Sequence, residues 1–431
     1  MAGARAFKAL RFTAAAGPLE GLIAPPYDVI GPAEREQLAS RNPRNIVHLI
    51  LPEGSADASA PDNRYARAGA LLADWLRQGF LEVERDDSMT VVQEEFLAGG
   101  RRHVRTGAIL ALRIDRYGEG EVFPHENTLA APRADRLALF RATRANLSPV
   151  FALVPDAAGA LARLLAGVAS ARGPDAELAG PDAVLRRVWF VRDAAFSGGV
   201  ARALEGLPCV LADGHHRYET ALAYRDELVA AGCEPGEASH VLCYVVAVDD
   251  PGLVVLPTHR VLPPGIGPAG EELVERLAQR FEIEPCSREE ATAFPLEEAR
   301  AGGPQAFVIG AGRRLRCWRA SLRDPAAMRE RFPHRSEGWR SLDVTCLHSF
   351  VLEDVCGIGP REAAESGLIS YTHDADVALA ALEHEGGLCF IMRATPPRAV
   401  LDVALAGERM PQKSTFFYPK VAAGLAMRLL A

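Results

Sequence analysis

The longest uninterrupted apolar stretch of this chain is Val241–Val248, eight residues. A membrane-spanning helix needs about 20, so the chain has to fold by stacking short elements in layers. Short apolar runs alternate with Ala/Leu-rich stretches along most of the sequence, a pattern of strands followed by helices. Strands are expected at Asn45–Leu51, Thr90–Phe96, Arg105–Ile114, Pro149–Val154, Val188–Arg192, Pro208–Ala212 and His240–Val248. Gly99-Gly100 reads as the turn of a hairpin between the second and third of these. A helix is expected over Asp62–Gln78, with Asp62 as N-cap and Gly79 as the stop. Another begins near Pro32, and after Pro263-Pro264-Gly265 the pattern restarts with a helix near Glu271–Arg280. The expected class is α/β or α+β, with a core over 1–265 and a C-terminal α/β region over 266–431.

The 431 residues suffice for two or three domains, each with its own core. The net charge of −8 has no basic tail, which argues against nucleic acid as a partner, because phosphate-backbone binding needs a concentrated cationic surface. Lys8 and Arg11 interrupt the N-terminal apolar residues, so neither a secretory signal nor a membrane anchor is expected and the expected location is the cytoplasm. The eight cysteines form no CxxC spacing and sit mostly in apolar runs, as reduced buried thiols do. Only three of the 48 basic residues are Lys: Lys8, Lys413 and Lys420. Where Arg is written almost everywhere, a retained Lys hints at a compact ammonium.

The densest chemistry stands in Cys-Val-Leu-Ala-Asp213-Gly214-His215-His216-Arg217-Tyr218-Glu219. An apolar strand ends at Asp213, a glycine turns the chain, and a helix starts. Free N–H groups and the helix dipole at such a start favour an anion. His215, His216 and Arg217 add charge-assisted donors. Asp213 also reads as a helix cap with a solvated His-His-Arg face, and His215 with Glu219 has metal-ligand spacing but no third ligand nearby.

Other polar clusters punctuate the chain. Pro25-Pro26-Tyr27-Asp28 stiffens a loop on which Asp28 can accept a hydroxyl proton or bind a metal, or form a turn before the next helix. His125 and Glu126 suit proton transfer or a metal. Arg141 and Arg144, one helical turn apart, suit an anion clamp or surface ion pairs, and Asn146 and Ser148 follow them. His259 and Arg260 repeat the polar strand-end pattern. Lys413-Ser414-Thr415 resembles half of a phosphate loop without its glycines, and Phe416-Phe417-Tyr418 behind it reads as packing.

These segments together (Ile-Ala-Pro-Pro-Tyr-Asp-Val-Ile, Pro-His-Glu-Asn-Thr, Asn-Leu-Ser-Pro, Ala-Asp-Gly-His-His-Arg-Tyr-Glu-Thr-Ala, Leu-Pro-Thr-His-Arg and Met-Pro-Gln-Lys-Ser-Thr-Phe-Phe-Tyr-Pro-Lys) run from residue 23 to 420. They resemble a prokaryotic family of unknown function, number 1015. The Asp-Gly-His-His-Arg box is in turn similar to the phosphate box of the ParB-like superfamily, which includes sulfiredoxin and free-serine kinases. That resemblance implies a ParB/sulfiredoxin-like phosphate-binding core with additional α/β layers, in which Gly214, His215, His216 and Arg217 cradle a donor's phosphates. Sulfiredoxin carries its catalytic cysteine where His215 stands, so reduction of sulfinic acids is not implied. ParB proteins carry a helix-turn-helix and a basic DNA surface, neither of which this sequence contains. Free-serine kinases use an acidic residue near the N-terminus as base, a role for which Asp28 is the candidate.

The function expected from the sequence is transfer of a phosphoryl group from ATP, ADP or pyrophosphate to a small hydroxylated metabolite, L-serine foremost. Asp28 and His216 would be catalytic. Asp213 to Arg217 with Arg141, Arg144, Lys413, Ser414 and Thr415 would hold phosphate, and Mg²⁺ would bridge donor oxygens. Tyr27, His125, Glu126, Asn146, Ser148, His259 and Arg260 would line the acceptor pocket. The alternatives are a ParB-like nucleotide-binding switch and a metal-dependent phosphohydrolase using His125, Glu126, His215 and His216. Both the placement of Lys413 beside Gly214 and the oligomeric state stay open.

Overall fold

A computed structural model describes residues 3–128, 130–180, 182–296, 303–365 and 367–430. It is a mixed α/β protein of two compact units. Unit 1 comprises 1–124, 128–253 and 419–431, and unit 2 comprises 125–127 and 254–418.

Unit 1 is built on a nine-stranded mixed sheet. Its strands are β1 (Ala4–Arg5), β2 (Met89–Ala98), β3 (Arg101–Arg113), β4 (Val122–Pro124), β5 (Val150–Val154), β6 (Ala176–Ala179), β7 (Leu185–Val191), β8 (Cys209–Asp213) and β9 (His240–Ala247). The order is β4-β8-β5-β9-β3-β2-β7-β6, with β1 also on β3. The pairs β4/β8 and β5/β9 are parallel and the others antiparallel. The hairpin β2–β3 turns at Gly99 and Gly100, both at positive φ (55° and 72°), the backbone that a two-residue hairpin turn matching strand twist demands.

Alternation decides the two faces of the sheet. Ala108, Leu110 and Leu112, Val150, Ala152 and Val154, and Val241, Cys243 and Val245 enter one core cluster. Three helices supply its other side: Leu161 and Leu165 from α5 (Ala160–Ala171), Phe196 and Val200 from α6 (Ala194–Leu204), and Tyr218 and Ala221 from α7 (His215–Ala230). Residues of opposite parity carry a buried polar network. Glu94 bonds Arg105 (Nε–Oε2 3.0 Å) and lies 3.4 Å from Arg186, and Tyr244 donates to the same carboxylate at 3.2 Å. Arg105 also donates to the Pro419 carbonyl at 2.7 Å. A second apolar cluster joins α1 (Pro32–Arg41), α2 (Val47–Ile50) and α3 (Arg64–Arg77) to the C-terminal segment through Ala423 and Met427.

Two local expectations are corrected. Asn45–Leu51 is not a strand. Its centre is α2, because Asn45 Oδ1 accepts from the Val47 N–H at 2.9 Å and starts a helical turn. A short apolar run buried all round does not itself distinguish strand from helix. The cap of α3 is Asn63, which accepts from the N–H groups of Tyr65 and Ala66, while the Asp62 carboxylate is taken by Arg67.

Unit 2 holds a six-stranded antiparallel sheet in the order β11-β13-β12-β15-β10-β14. The strands are β10 (His259–Leu262), β11 (Phe281–Cys286), β12 (Ala306–Ala311), β13 (Arg316–Leu322), β14 (Ser370–Thr372) and β15 (Leu388–Ile391). The expected restart helix is α8 (Gly270–Leu277). α9 (Ala375–Glu385) packs Ala378, Leu379 and Leu382 on the sheet, and α10 (Pro397–Leu405) follows β15. Phe416–Tyr418 pairs with Val254–Leu256, so this aromatic run packs within a two-stranded ladder. Cys209, Cys243, Cys317, Cys346 and Cys389 are buried free thiols, whereas Cys233 is exposed. Among the described residues no helix is long and apolar enough to cross a membrane.

Candidate functional site

In unit 1 the strand β8 ends at Asp213, Gly214 turns the chain, and α7 begins at His215. Gly214 has φ +85°, and a Cβ there would lie 2.9–3.0 Å from the Arg217 guanidinium. Glycine is therefore required twice, by the left-handed backbone and by the close approach. The first turn of a 16-residue helix starts from this point, with its N–H groups and positive dipole end.

Two cations converge on the Asp213 carboxylate. Lys420 Nζ lies 2.9 Å from Oδ1, and Arg217 Nη2 lies 2.9 Å from Oδ2. Burial alone would raise the carboxyl pKa. Lys420 and Arg217, helped by His215, hold it well below the usual carboxylate range. Arg217 Nη1 reaches Ser148 Oγ at 3.3 Å and the Pro149 carbonyl. His215 is buried and His216 half-buried beside it.

Lys420 is not among the site residues expected from the sequence, although the count of three lysines marks it. Its placement has two causes in the fold. The carbonyl of Pro419 is held by the buried Arg105, and Ala423 forms an antiparallel bridge with Ala24. That bridge also brings the Pro25–Asp28 loop alongside the returning C-terminal segment. Tyr27 lies under the guanidinium of Arg136 (3.9 Å to the ring centroid). Burial, reinforced by Asp28, pushes the Tyr27 phenol up to about 12, so it is a neutral donor at physiological pH. Tyr27, Arg136, Asn146, Ser148, Arg217 and Thr220 line one small cavity of about 40 Å³. The Thr220 hydroxyl is buried there without a hydrogen-bond partner. Asp28 is exposed, next in the chain to Tyr27.

The remaining expected residues of unit 1 lie differently. Asn146 is buried and its Oδ1 accepts from Arg428 at 3.0 Å and from the Leu242 N–H at 3.1 Å, so it ties Ala145–Asn146 to the chain end. Arg141 pairs with Glu227 of α7 at the surface. Arg144 stands just past the last residue of α4 (Ala130–Thr143), at φ 45°, and is exposed. The two arginines are thus not successive turns of one helix.

The other expected residues gather in unit 2. His125 Nε2 lies 2.9 Å from Thr415 Oγ1, and Glu126 Oε1 accepts from the Ser414 N–H at 3.3 Å. Arg260 donates to the Lys413 carbonyl at 3.0 Å. His259 is buried, accepts at Nδ1 from the Met392 N–H and is held neutral, with a pKa near 3, by burial and by Arg260.

Among the described residues no group of three or more His, Cys, Asp or Glu side chains is placed to hold a metal ion. Both oxygens of Asp213 are occupied by cations. The donor set of the unit 1 site therefore suits an anion rather than a bare divalent cation.

Comparison with known proteins adds the family. The family model described as "Protein of unknown function (DUF1015)" matches residues 4–345. No curated protein matches the chain. Among solved structures, a free serine kinase mutant in complex with ADP is 14% identical, with a TM-score of 0.36 over 72% of this chain and 87% of that one. A conserved hypothetical protein from Pyrococcus furiosus is 15% identical, with a TM-score of 0.34 over 73% and 92% of the two chains. C-terminally truncated SbnI from Staphylococcus aureus is 12% identical, with a TM-score of 0.35 over 74% and 87%.

Proposed function

The chain belongs to the DUF1015 family, whose description assigns no activity, and from the unit 1 geometry we propose that it is a phosphotransferase. The donor is ATP, ADP or pyrophosphate, and the acceptor is a small hydroxylated metabolite. One observation carries this: an ammonium and a guanidinium meet on Asp213 at the start of α7, beside a left-handed glycine. Cations, backbone N–H groups and a helix dipole at one point are what a transferring phosphoryl group needs, since its charge spreads over the equatorial oxygens.

In the proposed reaction Asp28 takes the proton of the acceptor hydroxyl. The hydroxyl oxygen bonds to the terminal phosphorus, and the bridging P–O bond breaks to release ADP, AMP or phosphate, according to the donor. Gly214 to Arg217 and Lys420 hold the donor phosphates, with His216 donating to a phosphate oxygen. Asp213 keeps Lys420 and Arg217 in place. Tyr27, Ser148 and Thr220 offer hydroxyls to the acceptor. The cradle does not need Arg141, whose guanidinium Glu227 holds. Magnesium enters with the nucleotide as part of the substrate. The similarity of the box to that of free-serine kinases makes L-serine the first acceptor to try.

The test is acceptor-dependent donor consumption by the purified chain, compared with His216→Ala. Consumption that requires a small alcohol, and that His216→Ala loses without a change in melting temperature, supports the proposal. Donor loss without any acceptor favours hydrolysis. Tight nucleotide binding without consumption favours a switch. Parallel loss of fold and activity in His216→Ala removes the site assignment.

A further inference from the structure

Unit 2 buries a cation that has no counterion. Arg260 is 1% exposed, and among the described residues no carboxylate lies within ion-pair distance of it. Its Nη1 donates to the Thr258 carbonyl and its Nη2 to the Lys413 carbonyl, while its Nε has no hydrogen-bond partner. The Tyr371 ring stands 5.7 Å away. Burial brings its pKa down to about 10, against a weaker pull from Tyr371 and Glu126. A buried guanidinium without an anion is costly, and buried arginines elsewhere in this chain, such as Arg105 and Arg186, are ion-paired.

Arg260 lines a cavity of about 160 Å³ whose wall also includes the hydroxyl residues Thr258, Ser341, Thr395 and Ser414. Arg393 and Asp343 line it too, and their charges are spent on each other through two hydrogen bonds of 2.7 and 2.8 Å. Ala399, in the first turn of α10, forms a further wall and brings the positive end of that helix to the same space. Lys413 sits at φ 58°, a strained backbone for a side chain with a Cβ, and such strain concentrates where function needs it. It turns the Lys413 carbonyl onto Arg260.

We infer that this cavity is a second anion site, distinct from the box at Gly214. It takes a compact oxyanion, the phosphoryl or carboxylate group of a small polar molecule, with Arg260 as counterion; the hydroxyl protons of Ser341, Thr395 and Ser414 are already given to the carbonyls of Gly338, Ser414 and Pro411. A volume near 160 Å³ accommodates such a head group. The inference does not depend on the activity proposed for unit 1.

Calorimetric titration of the full chain tests it, with inorganic phosphate in one arm and malonate in the other. Lys420→Met serves as background to silence the unit 1 cradle. One saturable site is expected to remain in that background for at least one probe, and which probe binds identifies the oxyanion. Arg260→Gln is expected to weaken that site at least tenfold, and Arg260→Lys, which keeps the charge but loses the planar fork, to weaken it less. Arg260→Lys keeps a charge at the buried position, so it keeps the test informative if Arg260→Gln does not fold. Absence of a site for both probes in the Lys420→Met background, or a site whose affinity no folded Arg260 variant changes, overturns the inference.

Discussion

Lys420 Nζ stands 2.9 Å from Oδ1 of Asp213, across 207 residues of chain. Both side chains are largely buried, at 13% and 15% exposure, and Arg217 occupies the other carboxylate oxygen. A carboxylate shared by two cations leaves a net positive charge at the start of α7, which a bound phosphate would complete.

Lys420→Met should therefore weaken pyrophosphate or nucleotide binding at least tenfold, by roughly the 1.4 kcal/mol or more that one charge-assisted hydrogen bond contributes. Lys420→Arg should recover binding only in part, because a planar fork does not replace a compact ammonium between two fixed partners. Calorimetric titration of both variants checks this, with circular dichroism as the control for folding.

Asp28→Asn should separate binding from turnover. Asp28 is exposed in the short 3-10 turn Tyr27–Val29 that follows Pro25 and Pro26, so its loss leaves the fold untouched. Removal of a general base costs about 10²–10⁴-fold in rate. The expected outcome is a fall of that order in kcat with the donor KM within about twofold of the wild type, read from initial rates.

Gly214→Ala should fail for two reasons at once. The backbone there is left-handed, and the new Cβ would crowd the Arg217 guanidinium at 2.9–3.0 Å. A stability loss of about 1–2 kcal/mol is expected in urea denaturation, together with weaker donor binding. Gly79→Ala, also at positive φ but with nothing within 4 Å, should show the stability loss without the binding defect.

Much of unit 1 was legible in the sequence for a physical reason. Strands such as Val150–Val154 and His240–Ala247 are buried but for the half-buried His240 and are bounded by turn residues, and Gly99-Gly100 encodes its own turn. The strand–glycine–helix box at Asp213–Arg217 was legible because it is local. Lys420 was not, since its partner is set by Arg105 holding Pro419 and by the Ala24–Ala423 bridge, neither of which leaves a local pattern. The same holds for the gathering of His125, Glu126, Arg260 and Ser414 within unit 2, which depends on long-range pairing. Asn45–Leu51 misled because a side-chain cap from Asn45, invisible to periodicity, decides its conformation.

The network beneath Lys420 gives a stability prediction. Glu94 and Arg105 are 1% and 0% exposed, and removing one partner of such a pair leaves an uncompensated charge, at a cost of about 3–5 kcal/mol. Glu94→Leu should unfold at markedly lower denaturant. Where it still folds, activity should fall too, because Arg105 also holds the Pro419 carbonyl next to Lys420.

Acid stability follows from three histidines that the fold keeps neutral. Burial, with nearby arginines, lowers His240 to about 4 and both His259 and His348 to about 3. The unfolded chain binds these protons near pH 6.5, so below that value it holds more protons than the folded chain. Stability must then decrease as pH falls from about 6.5 toward 4, by at most about 1.4 kcal/mol per pH unit for each histidine. Melting temperatures between pH 7.5 and 4.5 check the sign, and a flat profile would contradict it.

The most direct measurement of the central claim is ³¹P NMR of the full chain with Mg²⁺ and L-serine, run separately with ATP, ADP and pyrophosphate. The account predicts a new phosphomonoester resonance that requires both protein and serine or a related small alcohol, appears with at least one donor, and is lost with Lys420→Met. Donors that stay intact with every small alcohol tried, or that release only inorganic phosphate regardless of acceptor, would contradict it.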